Sequence, residues 1–359
     1  MSNKVELFLA AIDPFIQSNT VENTEKKVSG KDFISWGENN GYPQFLWGLY
    51  NDCATLQTII NGTSDYVVGD DITCTVQGFE KVVNKQGETI KDIIQRIAVD
   101  YILFGSFAVQ VIRNVMGNVS EIYWVDINKL RSDEKNEVFF YSDDWAKSYG
   151  RVKYLVYPKF NPKDSNATSI FYYKGNKTRS TYGTPIWSAA VRNAMIENYI
   201  TDYHLNEINN NFMTSKLISF NNGMPTDEVR EEIERNLTEK FAGTGNAGRT
   251  MISFADSRDN APEVISLATD NFADRYNTLA ERNMEQIFTA FRATPVLFGI
   301  VTKNNGFSTT EYSDSFKLFN KTVVSPIQDA IIDCFDKIFG VTGSVVIAPF
   351  TITFDTNKE

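Results

Sequence analysis

Apolar residues recur along the chain at two spacings, one helical and one alternating. From Pro43 the apolar positions Phe45, Leu46, Leu49, Cys53, Leu56, Ile59 and Ile60 fall three and four residues apart. That spacing predicts a helix with Pro43 in its first turn and Gly62 as its stop. Ile90, Ile93, Ile94, Ile97 and Tyr101 predict a second helix from Thr89 to Phe104, ended by Gly105 in the left-handed conformation. Short runs rich in β-branched and aromatic residues follow: Ser106 to Arg113, Val119 to Val125, Val138 to Tyr141, Val152 to Phe160 and Ser169 to Tyr173. Gly, Asn, Asp and Pro divide them, so they read as antiparallel strands of an α+β domain.

The second half is organised by long helices. Thr184 as N-cap and Pro185 in the first turn predict a helix to about Phe212, about 40 Å long. A small module comes next: a strand at Lys216 to Phe220, a helix from Thr226 and Asp227 to Phe241, and strands at Arg249 to Phe254 and Glu263 to Leu267. Thr269 or Asp270 caps another helix, whose stripe of Phe272, Tyr276, Leu279, Ile287, Phe288 and Phe291 is broken by Asn283. Ala293 to Phe307 reads as a loop rich in Pro, Gly and Asn. Ser308-Thr309-Thr310-Glu311 is then a capping box opening a helix to Gly340, with Pro326 imposing a kink. A final strand pair spans Val345 to Phe354.

Composition narrows the function. Of 359 residues, 42% are hydrophobic and 22% charged, the make-up of a packed protein. Lys+Arg 35 against Asp+Glu 45 gives −10, which argues against a charge-driven grip on duplex DNA. Cys53, Cys74 and Cys334 are too far apart for a CxxC pair and suit a reducing compartment. Met1 to Phe15 carries Lys4, Glu6 and Asp13, unlike an export signal, and no apolar stretch is long enough to span a bilayer. A soluble protein with no membrane partner is expected.

The motifs that would carry chemistry are weak. Gly243-Thr244-Gly245-Asn246-Ala247-Gly248 matches GxGxxG but follows a predicted helix and precedes a strand, the reverse of a dinucleotide site, so it reads as a turn. The lone histidine, His204, lies inside a predicted helix with no nucleophile-elbow sequence anywhere. Asp70-Asp71 and Asp143-Asp144 are adjacent acids without a metal-ligand spacing, and no GxxxxGK[ST] loop is present. No cofactor, metal or catalytic residue is expected. A metal-dependent carboxylate hydrolase or nuclease is the enzyme alternative.

The order of elements, together with several segments, resembles the portal (head-to-tail connector) proteins of tailed bacteriophages. The segments are Leu103-Phe104-Gly105-Ser106, Tyr182-Gly183-Thr184-Pro185, Lys240 to Gly243 with Asn246 to Arg249, and Phe291-Arg292-Ala293-Thr294-Pro295-Val296-Leu297-Phe298-Gly299. Ser308, Glu311 and Val324-Ser325-Pro326-Ile327 follow in the same order. The resemblance implies an N-terminal arm (1–32), an α/β wing (33–183), a first stem helix (184–212), a clip (213–268) and a second stem helix (269–292). A tunnel loop (293–307), a kinked tunnel helix (308–340) and C-terminal strands (341–359) complete it.

It further implies a dodecameric ring at one capsid vertex, assembled in the host cytoplasm. Double-stranded DNA passes through it without sequence recognition. Terminase large subunit, major capsid protein and head-tail adaptor are the implied partners. Thr302, Lys303, Asn304, Asn305 and Gly306 would approach the DNA, and Thr226, Asp227, Arg230, Glu234, Asn246 and Arg249 would form the docking clip. The arm reads as loosely ordered or as touching a neighbour, and another ring of the head-tail junction is the second alternative.

Overall fold

The computed structural model describes residues 7–8, 21–27, 30–145, 153–163, 166–175, 180–209, 217–220, 226, 228–229, 231–232, 235, 251–254, 272–300 and 309–351. In chain order its strands and helices are β1 (Leu7–Phe8), β2 (Glu25–Lys27), β3 (Ile34–Trp36), α1 (Tyr42–Asp52), α2 (Ala54–Val68), β4 (Asp71–Cys74) and α3 (Ile90–Phe104). Then come β5 (Ser106–Arg113), β6 (Val119–Val125), β7 (Leu130–Ser132), β8 (Val138–Tyr141), β9 (Leu155–Pro158), β10 (Thr168–Lys174) and α4 (Val191–Asn209). The last are β11 (Leu217–Phe220), β12 (Met251–Phe254), α5 (Phe272–Phe291), α6 (Thr309–Phe319), α7 (Ser325–Phe339) and β13 (Val345–Ala348). The chain divides into two units, Thr20–Met195 with Met284–Glu359, and Met1–Asn19 with Ile196–Asn283.

In the larger unit the core gathers around α2 and α3, whose Leu56, Ile59, Ile60, Ile93, Ile94 and Ile97 are fully buried. The ends of α3 follow from its sequence. Thr89 accepts from the Asp92 amide while the Asp92 carboxylate reaches back to Thr89, and Gly105 at φ 72° closes the last turn. A β10-β5-β6 sheet is antiparallel throughout, and β7-β8-β9 forms a second. In the smaller unit β11 runs parallel to β12, and β1 adds antiparallel on the other edge of β12. Glu228, Val229, Glu231, Glu232 and Arg235 are helical within the segment between β11 and β12.

Several expectations need correcting. The stretch from Pro43 is two helices that break at Cys53, which is extended (φ −97°, ψ 108°). Gly62 does not stop the second; α2 runs on to Val68, and Gly69 at φ 68° ends it. Thr184 and Pro185 precede a turn and the 3-10 segment Ser188–Ala190, so α4 starts only at Val191. Of the predicted C-terminal strand pair, Val345–Ala348 forms a strand and residues 352–354 lie outside the described residues. That strand joins β4, with Val345 opposite Cys74 and Ala348 opposite Asp71. Glu263 to Leu267 and the GxGxxG segment lie outside the described residues.

Pro326 is the second residue of α7, directly after a π turn at Asn320–Val324, where the Ser325 amide bonds to the Asn320 carbonyl five residues back. Proline has no N–H to return to residue 322, so the ladder is already interrupted here, and the wider turn takes up the irregularity. The helix is otherwise unbroken from Thr309 to Phe339.

Candidate functional site

Two glycine contacts hold the entry to α4. A Cβ on Gly105 would lie 2.3 Å from the Thr184 carbonyl oxygen, and one on Gly183 would lie 2.6 Å from the Gly105 carbonyl carbon. The end of α3 and the Tyr182–Thr184 segment therefore meet backbone to backbone, an approach only glycine permits. Glu25 accepts from the amides of Thr181 (2.7 Å) and Tyr182 (2.9 Å), and the Tyr182 ring stacks on Trp36 at 4.4 Å. Beside them Arg131 is fully buried, and its N–H groups reach the Asn40 carbonyl (2.8 Å), the Leu130 carbonyl (2.7 Å), the Asn128 carbonyl (3.0 Å) and the side chains of Asn40 and Gln44. Among the described residues no carboxylate forms an ion pair with it; neutral oxygens accept from it and the faces of Trp36 and Trp145 lie against it. Burial pushes its pKa down to about 10, so it remains protonated at neutral pH.

The stretch leading out of α5 is built as closely. Phe291 is buried against Trp187, whose indole N–H bonds to the Ile102 carbonyl at 3.1 Å. Arg292 turns the chain at φ 55°, and its amide bonds to the Thr289 carbonyl at 3.0 Å. Pro295–Phe298 forms a 3-10 turn ended by Gly299 at φ 73°, and the Ile300 amide bonds back to the Pro295 carbonyl at 3.2 Å. Phe298 lies against α2 where Gly62 leaves room: a Cβ there would come within 2.7 Å of the ring.

One turn further along α2, the Tyr66 hydroxyl donates to the Leu297 carbonyl at 2.6 Å and lies 3.0 Å from the Tyr312 hydroxyl. The carbonyl can only accept, so the single Tyr66 proton goes to it and Tyr312 donates to Tyr66. Phe298, Phe316, Phe319 and Phe350 surround the Tyr66 ring. Burial, reinforced by Tyr312, holds the Tyr66 hydroxyl above its ordinary pKa and keeps it neutral.

This places the sequence candidates as follows. Thr302, Lys303, Asn304, Asn305 and Gly306 lie outside the described residues, and their two flanks, Leu297 and Tyr312, meet at Tyr66. Thr226 is exposed; Asp227, Arg230, Glu234, Asn246 and Arg249 lie outside the described residues. In the same unit Leu205, Ile208 and Val229 are exposed apolar side chains. His204 is exposed and edge-on to Tyr203. Asp70 accepts from the Thr351 amide, Asp71 from the Ile72 amide, and Asp143 pairs with Lys129 at 2.9 Å. Among the described residues no three metal-ligating side chains converge, and no helix is long and apolar enough to cross a membrane. Tyr66, Gly62 and Tyr312 carry no local signal for these contacts, because the groups they meet there lie more than 200 positions away in the sequence.

The model of the phage portal protein family matches residues 84–358, and the chain belongs to that family. It is 21% identical over 247 residues to the "Probable portal protein" of Haemophilus phage HP1 (strain HP1c1), covering 68% of each chain. Its fold is similar to a chain in the neck of a native gene transfer agent (GTA) particle computed with C12 symmetry, with a TM-score of 0.53, 14% identity, and 86% and 84% of the two chains covered. A chain in the virion of the native GTA particle is also similar, with a TM-score of 0.52, 13% identity, and 85% and 82% covered.

Proposed function

We propose that this chain is the portal subunit of a phage head: it closes into a dodecameric ring at one capsid vertex, through which double-stranded DNA is packaged and later ejected. The family match over residues 84–358 carries the reading. Residues 33–183 form the wing, 184–212 and 269–292 the stem, 213–268 the clip, 293–307 the tunnel loop, 308–340 the tunnel helix, and 341–359 the closing strands, with 1–32 as an arm.

The ring is not an enzyme and needs no cofactor; the motor is the terminase large subunit, which docks on the clip through Thr226, Asp227, Arg230, Glu234, Asn246 and Arg249. The head-tail adaptor later takes the same place, and the wing faces the major capsid protein. A charge of −10 per subunit, repeated around the ring, repels a phosphate backbone and lets DNA slide past Thr302 to Gly306 without sticking. Pro326 and the π turn before it set the bend of the tunnel helix.

Light scattering with negative-stain imaging of one purified fraction tests the ring. Closed rings of about twelve subunits support it; a monomer or dimer, persisting when capsid and scaffold are co-expressed, overturns it. Deleting Thr302 to Gly306 should leave the ring intact and impair packaging or DNA retention.

A further inference from the structure

We infer that the Tyr66 hydroxyl is the latch that ties together the two flanks of the tunnel loop, Leu297 and Tyr312, a role that rests on the proposed portal function. Three segments converge on this one oxygen. Tyr66 belongs to α2, Leu297 to the 3-10 turn that follows α5, and Tyr312 to the first turn of α6. The bonds of 2.6 Å and 3.0 Å share a single oxygen, so one side chain of the wing holds both ends of the intervening segment. All three residues are buried, 7%, 5% and 5% exposed, so water does not compete for the bonds.

Gly62, one helical turn before Tyr66, admits the Phe298 ring, and Phe298 in turn packs on Phe288 and Phe319. These rings pack beside Leu297, but ring packing alone tolerates sliding, whereas a hydrogen bond fixes direction and distance. The Gly299 amide is shared between the Val296 (3.3 Å) and Pro295 carbonyls, and the Ile300 amide bonds to Pro295 (3.2 Å), all within the one turn that carries Leu297. Their protection from exchange therefore reports whether the Leu297 carbonyl is held. Tyr66 acts through the loop and touches no DNA itself; it is a positioning residue.

The test uses Tyr66→Phe and Tyr312→Phe in the full-length ring. Tyr66→Phe removes both bonds and keeps the edge-on and tilted ring contacts; Tyr312→Phe keeps the bond to Leu297. Hydrogen exchange at Gly299 and Ile300 should quicken about tenfold in Tyr66→Phe and less in Tyr312→Phe, with the amides of α7 unchanged. Uniform quickening across the ring would mean a merely structural role and overturns the latch, as does no change at these amides. If Tyr66→Phe fails to form rings, Tyr312→Phe must still show the local effect, or the latch is refuted. Particles carrying Tyr66→Phe should also package or retain less DNA. Local quickening with normal packaging would uphold the latch and refute instead the loop's proposed role on DNA.

Discussion

Gly105→Ala isolates the backbone joint between α3 and the entry to α4. An alanine there meets two penalties. Its φ of 72° is left-handed, which costs a non-glycine residue about 1 to 2 kcal/mol. Its Cβ would stand 2.3 Å from the Thr184 oxygen and 2.4 Å from the Thr184 carbon, both backbone, so that segment must move. Overpacking of that kind costs about 1 to 3 kcal/mol, for a total of about 2 to 5 kcal/mol. Gly340→Ala is the matched control: φ is 69° at the end of α7, and nothing lies within 4 Å of the added carbon. It should lose only the conformational term, about 1 to 2 kcal/mol.

Urea unfolding followed by tryptophan fluorescence measures both, because Trp36, Trp47, Trp124, Trp145 and Trp187 all lie in the unit that contains both glycines. Equal losses for the two variants would refute the steric half of the reasoning and with it the close joint. A larger loss at Gly105, with unchanged slope, upholds it.

Three other outcomes follow from the same geometry. Asp100 is buried with the Trp124 indole N–H at 2.7 Å, and burial holds its carboxyl well above the ordinary range. The folded chain then keeps a proton the unfolded chain loses, so this group's contribution falls as pH rises from the ordinary carboxylate range to the folded pKa. Asp100→Asn should raise the urea midpoint at neutral pH and flatten that dependence; a lower midpoint at pH 7 would contradict it. Arg131→Lys offers three donors to five acceptors and should cost about 1 to 3 kcal/mol, read from the same unfolding curves. Wild-type stability in that variant would show that the fork is dispensable. In the loop deletion of Thr302 to Gly306, an unchanged packaged DNA length would count against the loop assignment.

What the sequence made legible was local. The α3 helix could be read at both ends, since its start, stripe and stop all lie within sixteen positions, and Thr89, Ile93 and Gly105 act on their own helix. Where a residue served a distant partner, local reading failed. Gly62 looks like a stop, yet its missing side chain makes room for Phe298. Thr184-Pro185 looks like a helix start, yet the backbone there is held against Gly105, and the α-helix waits until Val191. The pairing of Asp71–Cys74 with Val345–Ala348 joins the two chain segments of the larger unit, and alternation alone cannot name a partner across that distance. The same holds for Tyr66: nothing near it in the chain announces Leu297 or Tyr312.

The π turn at Asn320–Val324 gives the long C-terminal helix one residue more than α geometry needs. Deleting a single residue there would let the ladder close as ordinary α-helix. A π turn takes more residues to complete one rotation than an α turn does, so the surplus residue is absorbed within this one turn. A frame-preserving loss of one codon at this point would therefore leave helix content and mass almost untouched while removing the widened turn that now separates α6 from α7.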